Sequence, residues 1–128
     1  MHRETNAPSI SIESFGYKHG APADADFVFD VRGLPNPYWV QALRPLCGKD
    51  EQVRAFLDAE PLAQDIVRDI AEFVEREIRR NRNINRSKLT LAIGCTGGQH
   101  RSVYVAESVA ERLSGSHGPI PTRHCELP

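Results

Sequence analysis

The chain has 128 residues, of which 40% are apolar and 26% charged, with a formal net charge of −1. That argues for one domain able to bury a core without covalent staples, and it excludes collagen, coiled coil and wholesale disorder. Balanced charge exerts no global pull toward nucleic acid or membranes; no apolar run nears the ~20 residues of a bilayer span, and Met1–Asn6 opens no signal-like stretch, so cytoplasm is the default expectation.

Residues 1–8 read as a flexible N-terminal arm and 9–128 as a single domain. Ser9 to Phe15 alternates with period two, the pattern of a half-buried strand. Gly16, Gly20 and Pro22 then mark a loop. Residues 25–31 (Ala-Asp-Phe-Val-Phe-Asp-Val) predict a second strand, apolar on both faces near its middle and therefore interior. Pro35 and Pro37 end it, and 38–49 read as irregular or one short turn. Asp50 is a candidate N-cap for a short helix through Ala59. Pro61 fits the first turn of a longer helix to about Arg80, with Leu62, Ile66, Ile70, Phe73, Val74 and Ile78 as its apolar stripe. Leu89 to Gly94 is the clearest strand, apolar enough to be central. A helix from Arg101 to about Ser114 follows, ended by Gly115 and Gly118. Ile120 to His124 reads as a last, edge strand. The order implies an α/β three-layer sandwich with a small, mostly parallel or mixed sheet of about four strands.

The chemistry concentrates between the central strand and the last helix, in Cys95-Thr96-Gly97-Gly98-Gln99-His100-Arg101-Ser102. Ligands of α/β sheets settle beyond the carboxyl ends of strands. Two adjacent glycines can take positive φ and let successive N–H groups converge on an anion. The following helix points its positive pole at the same spot. Thr96 and Ser102 add hydroxyls, and Arg101, at an exposed helix start, offers a fork for two oxygens. A phosphate site results, set against a plain tight turn followed by a solvated arginine. Asp30 and Arg32, ending the second strand, are candidates to meet a sugar hydroxyl, ammonium or phosphate. Their bland alternative is an ion pair organising the Pro35–Pro37 loop. Asn36 could serve polar recognition or cap a turn, and Tyr38 and Trp39 an aromatic wall or plain packing.

An enzymatic reading competes at the same loop. Cys95, five residues, Arg101 and Ser102 have the spacing of a Cys-based phosphatase, in which loop amides and Arg hold a phosphoryl group for a thiolate. Gly94 stands where such enzymes usually have His. Elsewhere, Arg79, Arg80, Arg82, Arg86 and Lys88 form one basic stretch that could neutralise RNA phosphates. No aromatic residue interrupts it, so base stacking is not available locally. Cys47, Cys95 and Cys125 are odd in number and unrelated in spacing, and His19, His117 and His124 share no ligand spacing. Neither a disulfide framework nor a metal site is expected, and no cofactor is implied.

Six blocks in series then carry a resemblance: Ser14-Phe15-Gly16-Tyr17-Lys18, Asp24-Ala25-Asp26, Phe29-Asp30-Val31-Arg32, Leu34-Pro35-Asn36-Pro37, Leu43-Arg44-Pro45 and Ala92 through Val103. Together they resemble the C-terminal domain of the RapZ/YvcJ family, which includes the RNase adapter protein of amino-sugar regulation, over about residues 9–124. Members usually carry an N-terminal P-loop domain. Here Gly48-Lys49-Asp50 is the sole Gly-Lys pair and lacks the glycine and Ser/Thr of a Walker A. A stand-alone copy of the C-terminal domain is therefore expected, without nucleotide hydrolysis.

The resemblance implies a phosphofructokinase-subdomain-like fold and a non-catalytic regulatory module that binds a phosphorylated amino sugar, glucosamine-6-phosphate or a UDP-N-acetylglucosamine-like ligand. It implies signalling to a protein or RNA partner and a homo-oligomer, with no role at a membrane. Tyr38 stands where members often have His, so a phenol replaces a ring nitrogen. The adapter's basic tail is not matched by Arg123–Pro128, which argues against carrying over its RNA binding.

Overall fold

The computed structural model describes residues 8–82 and 86–128. Most of the expected arm, and Asn83-Ile84-Asn85 within the basic stretch, lie outside them. Four strands are present: β1 (Ser9–Gly16), β2 (Phe27–Asp30), β3 (Lys88–Cys95) and β4 (Thr122–His124). Three α-helices accompany them: α1 (Glu51–Asp58), α2 (Pro61–Asn81) and α3 (Arg101–His117). Single 3-10 turns occupy Tyr17–His19 and Pro37–Trp39.

The strands form one sheet in the order β2-β3-β1-β4, and every pairing is parallel. The mixed-sheet option is thereby settled in favour of parallel, in an α/β arrangement consistent with a three-layer sandwich. Strand β3 is central, as its unbroken apolar run suggests: all of it after Lys88 is buried.

Two strand placements differ from the sequence expectation. β2 is an edge strand, bonded to β3 alone. Its Phe27 and Phe29 pack edge-on against Phe73 of α2, while Val28, on the other face, is half-exposed. Local hydrophobicity reported helix contact here and not a sheet neighbour on each side. Conversely, β1 is interior and buried almost throughout. Its alternating polar residues are not solvated but paired: Ser11 with Thr90, Glu13 with Arg123, and Ser14 with His124. The edge strand β4 brings Arg123 and His124 alongside, and a buried polar group with a partner costs little.

The helices follow their signals closely. Asp50 holds the N-cap position of α1, but its carboxylate accepts from the Cys47 N–H at 2.7 Å instead of capping the helix amides. Within α2 the buried face is Ala63, Val67, Ile70, Ala71, Val74 and Ile78; Leu62 is half-exposed and outside it. Gly115 lies inside α3 and does not end it; Gly118, with φ +72°, is the C-cap. Helix α3 packs on β1 and β3 and also on α2. Its partner contacts include Tyr104, whose hydroxyl donates to Asp58 at 2.5 Å and accepts from Gln64 at 3.0 Å, joining α1, α2 and α3. Among the described residues no helix is long and apolar enough to cross a membrane.

Candidate functional site

The end of β3, the loop 96–100 and the start of α3 form one wall of a cleft of about 640 Å³. The opposing walls come from Lys18 and His19 on the first 3-10 turn, and from Asn36, Tyr38 and Trp39 around the second. The loop is held from two sides. Behind it, the Gly48 N–H donates to the Gln99 carbonyl at 2.7 Å and His100 Nε2 donates to the Leu43 carbonyl at 3.2 Å. Since a carbonyl only accepts, that bond places a proton on Nε2. Beneath it, the end of β1 comes close enough that a Cβ on Gly16 would lie 2.6 Å from the Gly97 carbonyl.

Of the two glycines, only Gly98 adopts positive φ, at +79°. Its own Cβ would meet the Gly16 nitrogen at 2.5 Å, so conformation and space both demand glycine. Gly97 has open space around it and no such requirement.

Several expected site residues meet in the cleft: Cys95, Thr96, Gly97, Gly98, His100 and Arg101 all line it. Three others stand outside. Ser102 is fully buried and faces Cys95: its N–H donates to the sulfur at 3.4 Å, and its hydroxyl oxygen accepts from the thiol at 3.2 Å. Asp30 and Arg32 pair with each other through two side-chain bonds of 3.0 and 2.8 Å, with a third bond from the Arg32 N–H. The Arg32 guanidinium also stacks 3.9 Å from the centre of the Tyr17 ring, a cation–π contact. Hydrogen bonds from Arg32 hold the Asp30 carboxyl below its ordinary range. Burial, with the neighbouring Asp30 charge, pushes the Tyr17 hydroxyl up.

Arg101 departs from the exposed position expected of a helix start. It is only 5% exposed, and its Nη1 donates to the carbonyls of Arg32 at 2.7 Å and Leu34 at 3.1 Å. The segment after β2 folds over the first turn of α3 and supplies these acceptors. Its Nε is a buried donor without an acceptor among the described residues.

Sequence reasoning did not single out Lys18 or Gln99. Lys18 reaches the cleft because its backbone N–H donates to the Thr96 carbonyl at 3.2 Å, tying its turn to the glycine loop. No local pattern announces that contact. Asn36 accepts from the Tyr38 N–H at 3.1 Å and so caps the second turn. Tyr38 and Trp39 meet edge to face with ring centres 5.7 Å apart, and Trp39 is 76% exposed at the mouth. Among the described residues no Asp or Glu lines the cleft, whereas Lys18, His19, His100 and Arg101 do. The surroundings therefore favour an anion.

The phosphatase-like features are only partly reproduced. Cys95 and Ser102 are mutually bonded, but the Arg101 terminal nitrogen is directed to backbone carbonyls. A side chain at position 94 has no room, since a Cβ would sit 2.4 Å from the Phe15 ring. In the basic stretch, Arg80 pairs with Glu77 and Arg86 with Asp26, while Arg79, Arg82 and Lys88 are exposed.

The profile described as the RapZ C-terminal domain matches residues 8–128. Proteins named nucleotide-binding protein are similar over nearly the whole chain. One from Shewanella baltica is 54% identical over 92% of this chain, and one from Nitrosococcus oceani is 51% identical over 93%. The chain spans 42% of the length of each of these relatives.

Proposed function

The chain belongs to the RapZ C-terminal domain family, and from that premise we propose that it is a non-catalytic regulatory module that binds a phosphorylated amino sugar in this cleft and signals its occupancy to a partner. One observation carries the proposal: the glycine loop at the start of α3, Lys18 and the Tyr38–Trp39 pair share one cleft that, among the described residues, no carboxylate lines. Loop amides and the helix pole suit the phosphate. The aromatic pair offers a flat apolar face to a sugar ring. A cleft of this size is within the range that holds small organic ligands.

The curated relatives' name, nucleotide-binding protein, belongs to chains more than twice as long. For this chain a nucleotide enters only as the carrier of a sugar. Calorimetric titration with glucosamine-6-phosphate, glucosamine, UDP-N-acetylglucosamine and inorganic phosphate tests the reading. Glucosamine-6-phosphate or the nucleotide sugar is expected to bind at least tenfold tighter than inorganic phosphate. Equal affinity for phosphate alone would remove the sugar from the proposal.

The Cys95–Ser102 contact keeps a second reading in view, a Cys-dependent phosphatase. It requires aryl phosphate hydrolysis that Cys95→Ser abolishes. We expect no such turnover, because the arginine that would clamp the phosphoryl oxygens is engaged with the Arg32 and Leu34 carbonyls.

A further inference from the structure

Glu126, on the C-terminal segment after β4, lies behind the glycine loop and is not among the residues lining the cleft. Its carboxylate makes two contacts at once. Oε2 accepts from the Gly16 N–H at 3.2 Å, and Oε1 lies 3.8 Å from His19 Nε2. Its methylene stem fills the space beside Gly98, where an added Cβ would meet Cγ at 2.4 Å. The Glu126 side chain is 15% exposed, the His19 side chain 51%. One side chain thus reaches the end of β1, the positive-φ glycine and a cleft-lining imidazole.

We propose that Glu126 is a positioning residue for the cleft, acting through the protonated form of His19: it faces Nε2 as an ion-pair partner and leaves the second ring N–H, on Nδ1, to donate to the bound phosphate. This rests on the phosphosugar reading above. A carboxylate behind an imidazole fixes ring orientation and selects which nitrogen faces the ligand, as it does behind metal-bound histidines. The imidazolium also adds to the Lys18 charge on the same turn. The Gly16 bond anchors the carboxylate, so the ring is referenced to the sheet and not to a mobile side chain.

The test is a double-mutant cycle on glucosamine-6-phosphate affinity, measured by calorimetry in mildly acidic buffer. The variants are His19→Ala, Glu126→Gln and the pair. Gln retains an oxygen for the Gly16 N–H but not the charge facing His19. Each single change is expected to weaken binding about threefold or more, and the double variant no more than the worse single. The melting temperature of Glu126→Gln should stay near the parent's, whereas Glu126→Ala, which also loses the brace beside Gly98, should melt lower.

Independent losses that multiply in the double variant would overturn the proposal, because a merely structural brace would not couple to His19. Parent-like affinity of Glu126→Gln would overturn it as well. In both cases the cleft reading survives. A parent protein that does not bind the sugar phosphate would instead bring down the cleft reading, and this proposal with it.

Discussion

Arg101 Nη1 and the Arg32 carbonyl oxygen lie 2.7 Å apart across the loop that follows β2. One cation at the start of α3 thereby fastens a segment nearly seventy residues earlier in the chain, with a second bond of 3.1 Å to Leu34. The same guanidinium lines the cleft. Arg101 consequently both braces the fold and lines the candidate cleft.

Replacing Arg101 with Ala is expected to cost stability as well as affinity. The Arg32 and Leu34 carbonyls lose a charged donor, and a bond of that kind contributes about 1.5–3 kcal/mol. A fall in melting temperature of roughly 5–10 °C follows for a domain of this size. Arg101→Lys should restore only part, since the ammonium lacks the planar fork. Calorimetric melts of the three proteins check this; an unchanged melting temperature for Arg101→Ala would show that the carbonyl contacts carry no weight.

The two loop glycines should respond oppositely to alanine. At Gly98 the added Cβ meets backbone at 2.5 Å and the residue has φ +79°, so Gly98→Ala should destabilise by about 2 kcal/mol or more. At Gly97 nothing lies within 4 Å of the Cβ position, and Gly97→Ala should leave stability within about 0.5 kcal/mol. Urea midpoints of the two variants provide the comparison. Similar losses in both would mean the loop does not keep this conformation in solution.

Trp39 is the only tryptophan and is largely exposed at the cleft mouth. Its emission should resemble that of a solvated indole and change on addition of sugar phosphate. Trp39→Ala should leave the melting temperature almost unmoved while weakening sugar phosphate more than inorganic phosphate. Equal weakening of the two ligands would argue that the indole does not meet the sugar.

The Asp30–Arg32 pair predicts a modest acid dependence. Asp30 titrates below its ordinary range in the folded state, chiefly through the Arg32 hydrogen bonds. Its contribution is therefore full above the unfolded carboxylate pKa and is lost as pH falls through the lower, folded value. Both side chains are nearly half-exposed, so solvent screening keeps the effect small. The stability gap between parent and Asp30→Asn, followed from pH 6 to about pH 2, should narrow on acidification. A gap that widens toward low pH would reverse the assignment.

Much of this protein was legible in one dimension, where the signals are local. Helix α2 begins at a proline suited to a first helical turn, and its apolar spacing runs to Ile78, within one turn of its end at Asn81. The apolar run of β3 and the glycines after it announce a central strand feeding a loop and a helix, a relation carried entirely by neighbours in sequence. Pairing partners are a different matter. The alternation of β1 suggested a solvated face because nothing nearby shows that Arg123 and His124 will come alongside Glu13 and Ser14. The apolar β2 suggested an interior strand because Phe73, which accepts its rings, belongs to a helix more than forty residues on.

The site divides in the same way. Residues 95–101 line one cleft together, a grouping that follows from their own order, since a strand end, a glycine pair and a helix start are neighbours in sequence. The chain's own order did not reveal that Lys18 and His19 face that loop or that Arg101 turns to the carbonyls of Arg32 and Leu34, and it left open whether Asp30 and Arg32 meet a ligand or, as found, each other. Those contacts depend on how β1, β2 and β3 lie side by side. The parallel order β2-β3-β1 places the ends of all three strands together, and side chains tens of residues apart then meet by tertiary packing, which local propensity does not encode.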